Sequence, residues 1–294
     1  MSTAVAVLRA RQPATYWGLT WRRFKKHRLA LMSGMFLIVL IGSCLFIPLV
    51  VGEQASLTMD FARKLMPPSW GLPFGTNELG QNYFVRCLYG GQVSLRVGLE
   101  ATAVALLVGT LLGSIAGYRG GWADNLIMRS VDVMLAIPIF FVLLLLASYF
   151  GSNIHTVTFI IGLTSWTDIC RLVRADFLSL REKEFVEAAR AIGVPAPLLI
   201  LRHLLPNAAS PIIVAATLGM ARAIIIESAL SYLGFGVQPP AASWGYMLRS
   251  AQAHMVEYPW LAFFPGLLIF LAVLAFNFLG DGLRDAMDPR TGHR

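Results

Sequence analysis

Six runs of about 20 predominantly apolar residues, each long enough to cross the ~30 Å hydrocarbon core of a bilayer, set the terms for any fold of this chain. They span 29–51, 97–117, 131–150, 154–173, 208–232 and 260–280. A soluble domain of 294 residues has no interior that could hide them all. Backbone in lipid must satisfy its own hydrogen bonds, so each run is predicted to be a helix. The expected fold class is therefore all-α, a polytopic membrane protein with six transmembrane helices. Charge agrees, because charged residues make up 14% of the sequence against about 25% in ordinary soluble domains. The first run is too long for the apolar region of a secretory signal and lacks a small-residue cleavage site, so it is expected to stay in the protein.

Lys and Arg are retained on the cytoplasmic side of the spans, which predicts the orientation. With the N-terminus inside, the inner segments hold 18 of them, including Arg9, Arg11, Arg22, Arg23, Lys25, Lys26, Arg28, Arg119, Arg129, Arg284, Arg290 and Arg294. The outer segments hold Arg63, Lys64, Arg86 and Arg249, with Arg96 at the edge of the second span. Both termini are expected to be cytoplasmic. The net charge of +8 then reflects topology and anionic lipid headgroups rather than nucleic acid. Cys44 falls in the first span, Cys87 in the first outer loop and Cys170 at the inner end of the fourth span. No disulfide between them is expected, and no Cys/His/Asp spacing suits a metal.

The chain divides into a tail, 1–28, a first helix with its outer loop, 29–92, a main membrane domain, 93–281, and a short tail, 282–294. In the first tail, Trp17, Trp21 and Phe24 recur at helical spacing among Arg22, Arg23, Lys25 and Lys26, the pattern of an interfacial helix. The turn-rich MPPSWGLPFGTNELGQN is expected to give the outer loop some order. GYRGGWADN reads as a tight inner turn and not a phosphate cradle, since no Gly-Lys-Ser/Thr follows.

The segment 171–206 is too long and too patterned for a mere connection. In REKEFVEAARAIG, residues Phe185, Ala188, Ala189 and Ile192 form an apolar stripe at i, i+3, i+4 and i+7, with Glu184, Glu187 and Arg190 on the other side. Gly193 stands where a helix end favours left-handed backbone, and Pro195 and Pro197 can open a second short helix, LLILRHLL. Such a pair can lie on the inner membrane face or project as a docking knob. The small residues Ala188, Ala189, Ala191 and Gly193 favour the knob, because they allow close backbone approach.

EAARAIGVPAPLLILRHLLPN resembles the permease subunits of binding-protein-dependent ABC importers, whose signature is Glu-Ala-Ala, three residues, Gly, and a later Leu-Pro. These are Glu187, Ala188, Ala189, Gly193, Leu205 and Pro206 here, with His203 at a commonly hydrophobic position. YGGQVSLRVGL, AGYRGGWADNLIMRSVDVMLAIP, LSYLGFGVQPPAASWGYML and FPGLLIFLAVLAFNFLGDGLRDAMDPR extend the resemblance over nearly everything beyond residue 20. They narrow it to the dipeptide/oligopeptide/nickel branch, C-type subunit. One stretch departs: where that branch reads Gly-Thr-Asp-x-x-Gly-Arg-Asp, this chain has Gly75, Thr76, Asn77, Gly80, Gln81 and Asn82, so three charges are gone.

The resemblance implies the type I ABC importer transmembrane fold and a place in the bacterial inner membrane. It implies pairing with a second, B-type permease, two ABC ATPase subunits below and an extracytoplasmic substrate-binding protein above. Di- or oligopeptides are the expected substrate, with nickel chelates or another small solute as the alternative. Lysines occur only at 25, 26, 64 and 183, so no Gly-Lys-Ser/Thr phosphate loop exists in the sequence. No catalytic role and no cofactor are expected in this chain, ATP and Mg belonging to the partner ATPases. Coupling to them is assigned to Glu187, Ala188, Ala189 and Gly193.

Ionisable residues within spans are functional candidates, since lipid burial is expensive. Arg96 and Glu100, four apart, are expected to pair on one helix face. Asp132 and Asp168 sit near inner span ends, where solvent or neighbouring loops can satisfy them. Arg222 and Glu227 are five apart and face different directions; one of them is expected to line the path or to pair between helices. GVQPPAASWG after the fifth span reads as a rigid outer turn, a plug or a binding-protein contact. A secondary transporter, the reading from another class, would show paired broken helices and an acidic cluster. Pro138 and Pro211 interrupt spans, but matching halves and such a cluster are missing.

Overall fold

The computed structural model describes residues 16–52, 56–151 and 153–288. Its elements are α1 (Tyr16–Phe24), α2 (Arg28–Val51), α3 (Tyr83–Arg119), α4 (Gly121–Ala136), α5 (Ile139–Phe150), α6 (Ile154–Thr164), α7 (Trp166–Leu180), α8 (Glu184–Ala191), α9 (Ala196–Leu199), α10 (Leu205–Asn207), α11 (Ala209–Leu233), α12 (Trp244–Ala251) and α13 (Trp260–Met287). The only β pairing among the described residues is two isolated bridges in the outer loop, Ser69 with Leu72 and Thr76 with Asn82. Five stretches are long and apolar enough to cross a membrane: α2, α3, the pair α6–α7, α11 and α13. The sixth is α4 with α5, bent by 87°.

That bend breaks the third expected span. Pro138 crowds the backbone of the residue before it, and Ile137 accordingly sits in an extended conformation (φ −97°, ψ 129°) that ends α4. Alone, the 12 residues of α5 reach only about 18 Å. Pro211, by contrast, interrupts nothing. It lies in the first turn of α11, where its missing N–H has no intrahelical partner to lose.

α3 is the axis of the bundle and packs against α7, α11, α6 and α2. Its 37 residues, about 55 Å of helix, exceed any bilayer crossing. It begins well before the apolar run because the Asn82 side chain accepts from the N–H groups of Phe84 and Val85 and caps the helix there. Cys87 therefore belongs to α3 and not to the outer loop, and it is buried in the same cluster as Cys44. α3 also runs without interruption through position 92, so the main membrane domain and the outer loop share one helix.

α2 shows how the sequence chooses its faces. Ala30, Ser33, Leu37, Leu40 and Cys44 are buried against the bundle, while Met32, Met35, Ile38, Phe46 and Leu49 point outward. An apolar face of that extent belongs in lipid. At one end of the bundle α1 packs on α13, and Arg23 Nη1 donates to the carbonyl of Asp288 at 2.8 Å. The two described ends of the chain thus meet. A helix is present at the expected place as α1, with Trp21 exposed and Lys25 5.2 Å from its ring; the Trp17 side chain and Arg9, Arg11, Arg290 and Arg294 lie outside the described residues.

Around Thr76 and Gln81 the outer loop is ordered by neutral groups. Thr76 Oγ1 donates to Arg63 O at 2.5 Å and accepts from Met66 N at 2.8 Å. Asn77 Oδ1 accepts from Leu79 N and Gln81 N, and Asn77 Nδ2 donates to Gln81 Oε1 at 2.8 Å. An amide pair therefore stands at the two positions where the resembling sequences carry Asp and Arg.

Pro265 lies inside α13 and cannot donate to the carbonyl of Leu261. That carbonyl accepts instead from the Tyr83 hydroxyl at 2.6 Å, which ties the start of α3 to α13. Tyr83→Phe is expected to lower stability by about 1–3 kcal/mol, the cost of a buried group left unsatisfied. The check is thermal unfolding of the purified protein in detergent, with unchanged melting contradicting the assignment.

Candidate functional site

The segment 171–206 forms a compact unit at the end of the bundle where α3 and α7 finish. α8 is an eight-residue helix from Glu184 to Ala191 with two acidic residues in its first turn and Arg190 in its last, both placements favoured by the helix dipole. It ends in a Schellman motif: Gly193 N donates to Arg190 O at 2.9 Å and Val194 N to Ala189 O at 3.1 Å. Gly193 takes φ +82° to close it. A Cβ added at Gly193 meets no heavy atom within 4 Å, so the requirement there is conformational and not a matter of space.

What holds α8 is not the expected stripe. Val186 and Ala189 are buried with Val173, Phe177, Leu199 and Leu204, whereas Phe185, Ala188 and Ile192 face outward. Adjacent residues on a helix lie about 100° apart, so the face taken up by α7 and α9 is rotated one position from the most apolar line. Arg190 adds a second attachment, its guanidinium 5.2 Å from the Tyr118 ring at the end of α3. Of the four coupling candidates, Glu187, Ala188 and Gly193 are exposed, and Ala189, 6% exposed, packs inward. The second short helix is α9, opened by Pro195 and Pro197, which passes through a π turn, Ile200–Leu204, into α10.

Small residues fix this unit to the membrane helices. Gly109, Gly113 and Gly117 recur every four residues on α3 and meet α7 backbone to backbone. A Cβ at Gly113 would lie 2.6 Å from Cys170 O, and one at Gly117 2.6 Å from Phe177 Cβ. The period was legible in the sequence; the helix it serves was not. A further tie is the ion pair of Arg174 on α7 with Asp124 on α4, with contacts of 2.5 and 2.7 Å. Arg96 and Glu100 pair as expected, at 2.7 Å on an exposed face, and Asp132 is exposed on α4.

Arg222 and Glu227 are divided by the structure. Glu227 is fully buried and accepts from Ser94 Oγ on α3 at 2.9 Å and from Ser231 Oγ at 2.7 Å. Ser94 Oγ in turn accepts from Trp244 N at the start of α12, and Ser231 Oγ from Val237 N. Glu227 is thus the centre of a network joining α3, α11 and α12, and the segment GVQPPAASWG is anchored by it at both ends. Arg222 faces the other way and pairs with Asp168 on α7, so the partner of Asp168 comes from a neighbouring helix and not from a loop. The serines of this network gave no signal in the sequence, because serine at such spacing is common on any helix.

The family model for the binding-protein-dependent transport system inner membrane component matches residues 109–293, and that for the N-terminal TM domain of oligopeptide transport permease C matches residues 15–68. A putative peptide permease protein of Brucella suis is 43% identical over 270 residues, 91% of this chain and 89% of its own length. The glutathione transport system permease protein GsiD of Escherichia coli is 41% identical over 287 residues, 98% of this chain and 95% of its own length. Among solved structures, an inward-facing form of the MetNI methionine ABC transporter superposes with a TM-score of 0.56 at 18% identity, over 70% of this chain and 98% of that one, a likeness of fold.

Proposed function

We infer that this chain, which belongs to the family of binding-protein-dependent transport system inner membrane components, carries small peptides across the bacterial inner membrane as one permease subunit of an ATP-driven importer. The permease role and the membrane follow from the family; peptide as substrate is the finer step. It is supported by relatives named for peptide and glutathione transport, which match nearly the whole chain. A secondary transporter is not favoured by any of these relatives.

The observation that carries the mechanism is α8, a capped helix bolted to α3 and α7 by Val186, Ala189 and Arg190, with Glu187, Ala188 and Gly193 outward. A knob of this kind moves with the bundle it is packed on. Coupling then requires an ATPase groove that receives it, so that closure of two ATPases on ATP shifts α3, α7 and α11 together. In this reading both termini and α8 are cytoplasmic, a B-type permease forms the other half of the path, and a binding protein delivers substrate from outside. ATP and Mg stay with the ATPases, and this chain supplies no catalytic group.

Purification of the tagged chain is expected to bring down a second permease and ATPase subunits. In the reconstituted complex, Gly193→Val is expected to reduce ATPase stimulation by the loaded binding protein about tenfold, since left-handed backbone costs a non-glycine residue roughly 1–2 kcal/mol. Gly193→Asn, which tolerates that backbone, should retain most of it. Full stimulation and full uptake with Gly193→Val would remove α8 from the coupling role. Mass spectrometry of the ligand retained by the cognate binding protein tests the substrate: a peptide is expected, and a metal chelate would replace that reading.

A further inference from the structure

Arg222 lies near the midpoint of α11 and Asp168 near the midpoint of the α6–α7 pair, both within helices long and apolar enough to cross a membrane. Their side chains are nonetheless 63% and 53% exposed. Charges within membrane-spanning helices do not face lipid, so this face of α7 and α11 turns toward water or protein. Both residues line a cavity of about 230 Å³ between α3, α7 and α11, room for a small solute. Ser165, at the break between α6 and α7, lines it too.

The cavity contains one more polar group. Thr102 of α3 is 6% exposed, and its Oγ1 has no hydrogen-bond partner among the described residues. Threonine on a helix ordinarily donates to a carbonyl one turn back, as Thr158 and Thr164 do here. Thr102 does not. Gly219 on α11 leaves room beside it, since a Cβ there would come within 3.1 Å of the Thr102 methyl. A buried hydroxyl without a partner is destabilising unless something supplies one.

We propose that this cavity is a substrate site within the translocation path, which holds a solute bearing both a carboxylate and an ammonium group between Arg222 and Asp168. The proposal rests on the peptide reading above and names where the peptide is received. In the resting chain the two charges neutralise each other. A zwitterion enters between them and exchanges one ion pair for two, carboxylate on Arg222 and ammonium on Asp168, with no net charge added within the bundle. The carboxylate brings an acceptor for the Thr102 hydroxyl. Planar guanidinium suits a carboxylate in two-point contact, which a lysine would not reproduce.

The test uses the complete transporter with its ATPases and binding protein in proteoliposomes, with dialanine and glutathione as probes. Arg222→Gln and Asp168→Asn are each expected to cut uptake at least tenfold while binding-protein-stimulated ATP hydrolysis stays within twofold, so that hydrolysis runs without cargo. The double variant R222Q/D168N separates a ligand site from a structural pair. Neutralising both partners relieves a merely structural pair and restores uptake, whereas a site stripped of both charges stays inactive. Thr102→Val removes an unpartnered hydroxyl, so assembly should be unchanged or firmer while uptake falls severalfold. Recovery of uptake in the double variant, or loss of the second permease on purification of the single variants, overturns the proposal in favour of a structural or intersubunit pair. Absence of uptake of either probe by the unmodified transporter sinks the peptide reading instead, and this site with it.

Discussion

Gly113→Leu is expected to yield no folded subunit, and Gly113→Ala is expected to lose about 1–3 kcal/mol, the usual cost of overpacking a close contact. Even the first carbon of a side chain would come within 2.6 Å of Cys170 O and 2.9 Å of Val173 Cβ. Backbone cannot yield as a flexible side chain does, so relief requires α3 and α7 to separate. Those two helices form the most extensive helix pair among the described residues, and their separation also detaches α8 through Phe177 and Tyr118. Gly34→Ala is the control. Its Cβ would meet nothing closer than Leu279 Cδ1 at 3.8 Å, and alanine in a helix gains roughly 0.5–1 kcal/mol over glycine. Recovery of monodisperse protein from membranes and its melting in detergent check both. A Gly113→Leu subunit that assembled normally would refute the close packing of α3 on α7.

Glu227→Ala is expected to be the most damaging polar substitution in the membrane helices. It leaves the donors of Ser94 and Ser231 without their acceptor and opens a void between α3, α11 and α12. Hydrogen bonds of this kind between membrane helices contribute about 0.6–1.7 kcal/mol each, and the cavity adds to that. A total loss of about 3–5 kcal/mol, enough to prevent recovery of a stable complex, is expected. Glu227→Gln keeps the shape and one acceptor, and the serine hydroxyls can reorient to accept from its amide, so a loss near 1 kcal/mol is expected. Comparison of the two by melting in detergent decides between a hydrogen-bonding centre and a charge that the path requires. Normal folding with abolished uptake in Glu227→Gln would restore Glu227 to the path.

Arg222 and Glu227, five apart on α11, show the limit of what spacing reveals. Their type and position marked both as unusual in a membrane helix. Which of them faces a cavity and which is sealed among serines depends on where α3 and α7 stand, and neither helix carries a signal for the other. The same holds for α8. Its existence, its length and its glycine cap were legible, because capping and periodicity are local. Its buried face was displaced from the expected stripe, because Phe177 and Leu199 arrive from other elements.

Sequence alone determined the solvent of this chain, the number of apolar runs, the Glu-Ala-Ala helix with its Gly193 turn, and the lack of any phosphate loop. Each follows from residues within one helix or one turn, where spacing is sufficient. Tertiary structure decided that the third run bends at Pro138 while Pro211 is harmless, that α3 reaches 14 residues beyond its apolar run, and that Asp168 finds Arg222. Such outcomes rest on capping and on partners brought together from 50 or more positions away, as with Asp168 and Arg222. In a bilayer every run is equally apolar, so hydropathy places helices in the membrane, and the small residues and buried polar groups choose their neighbours.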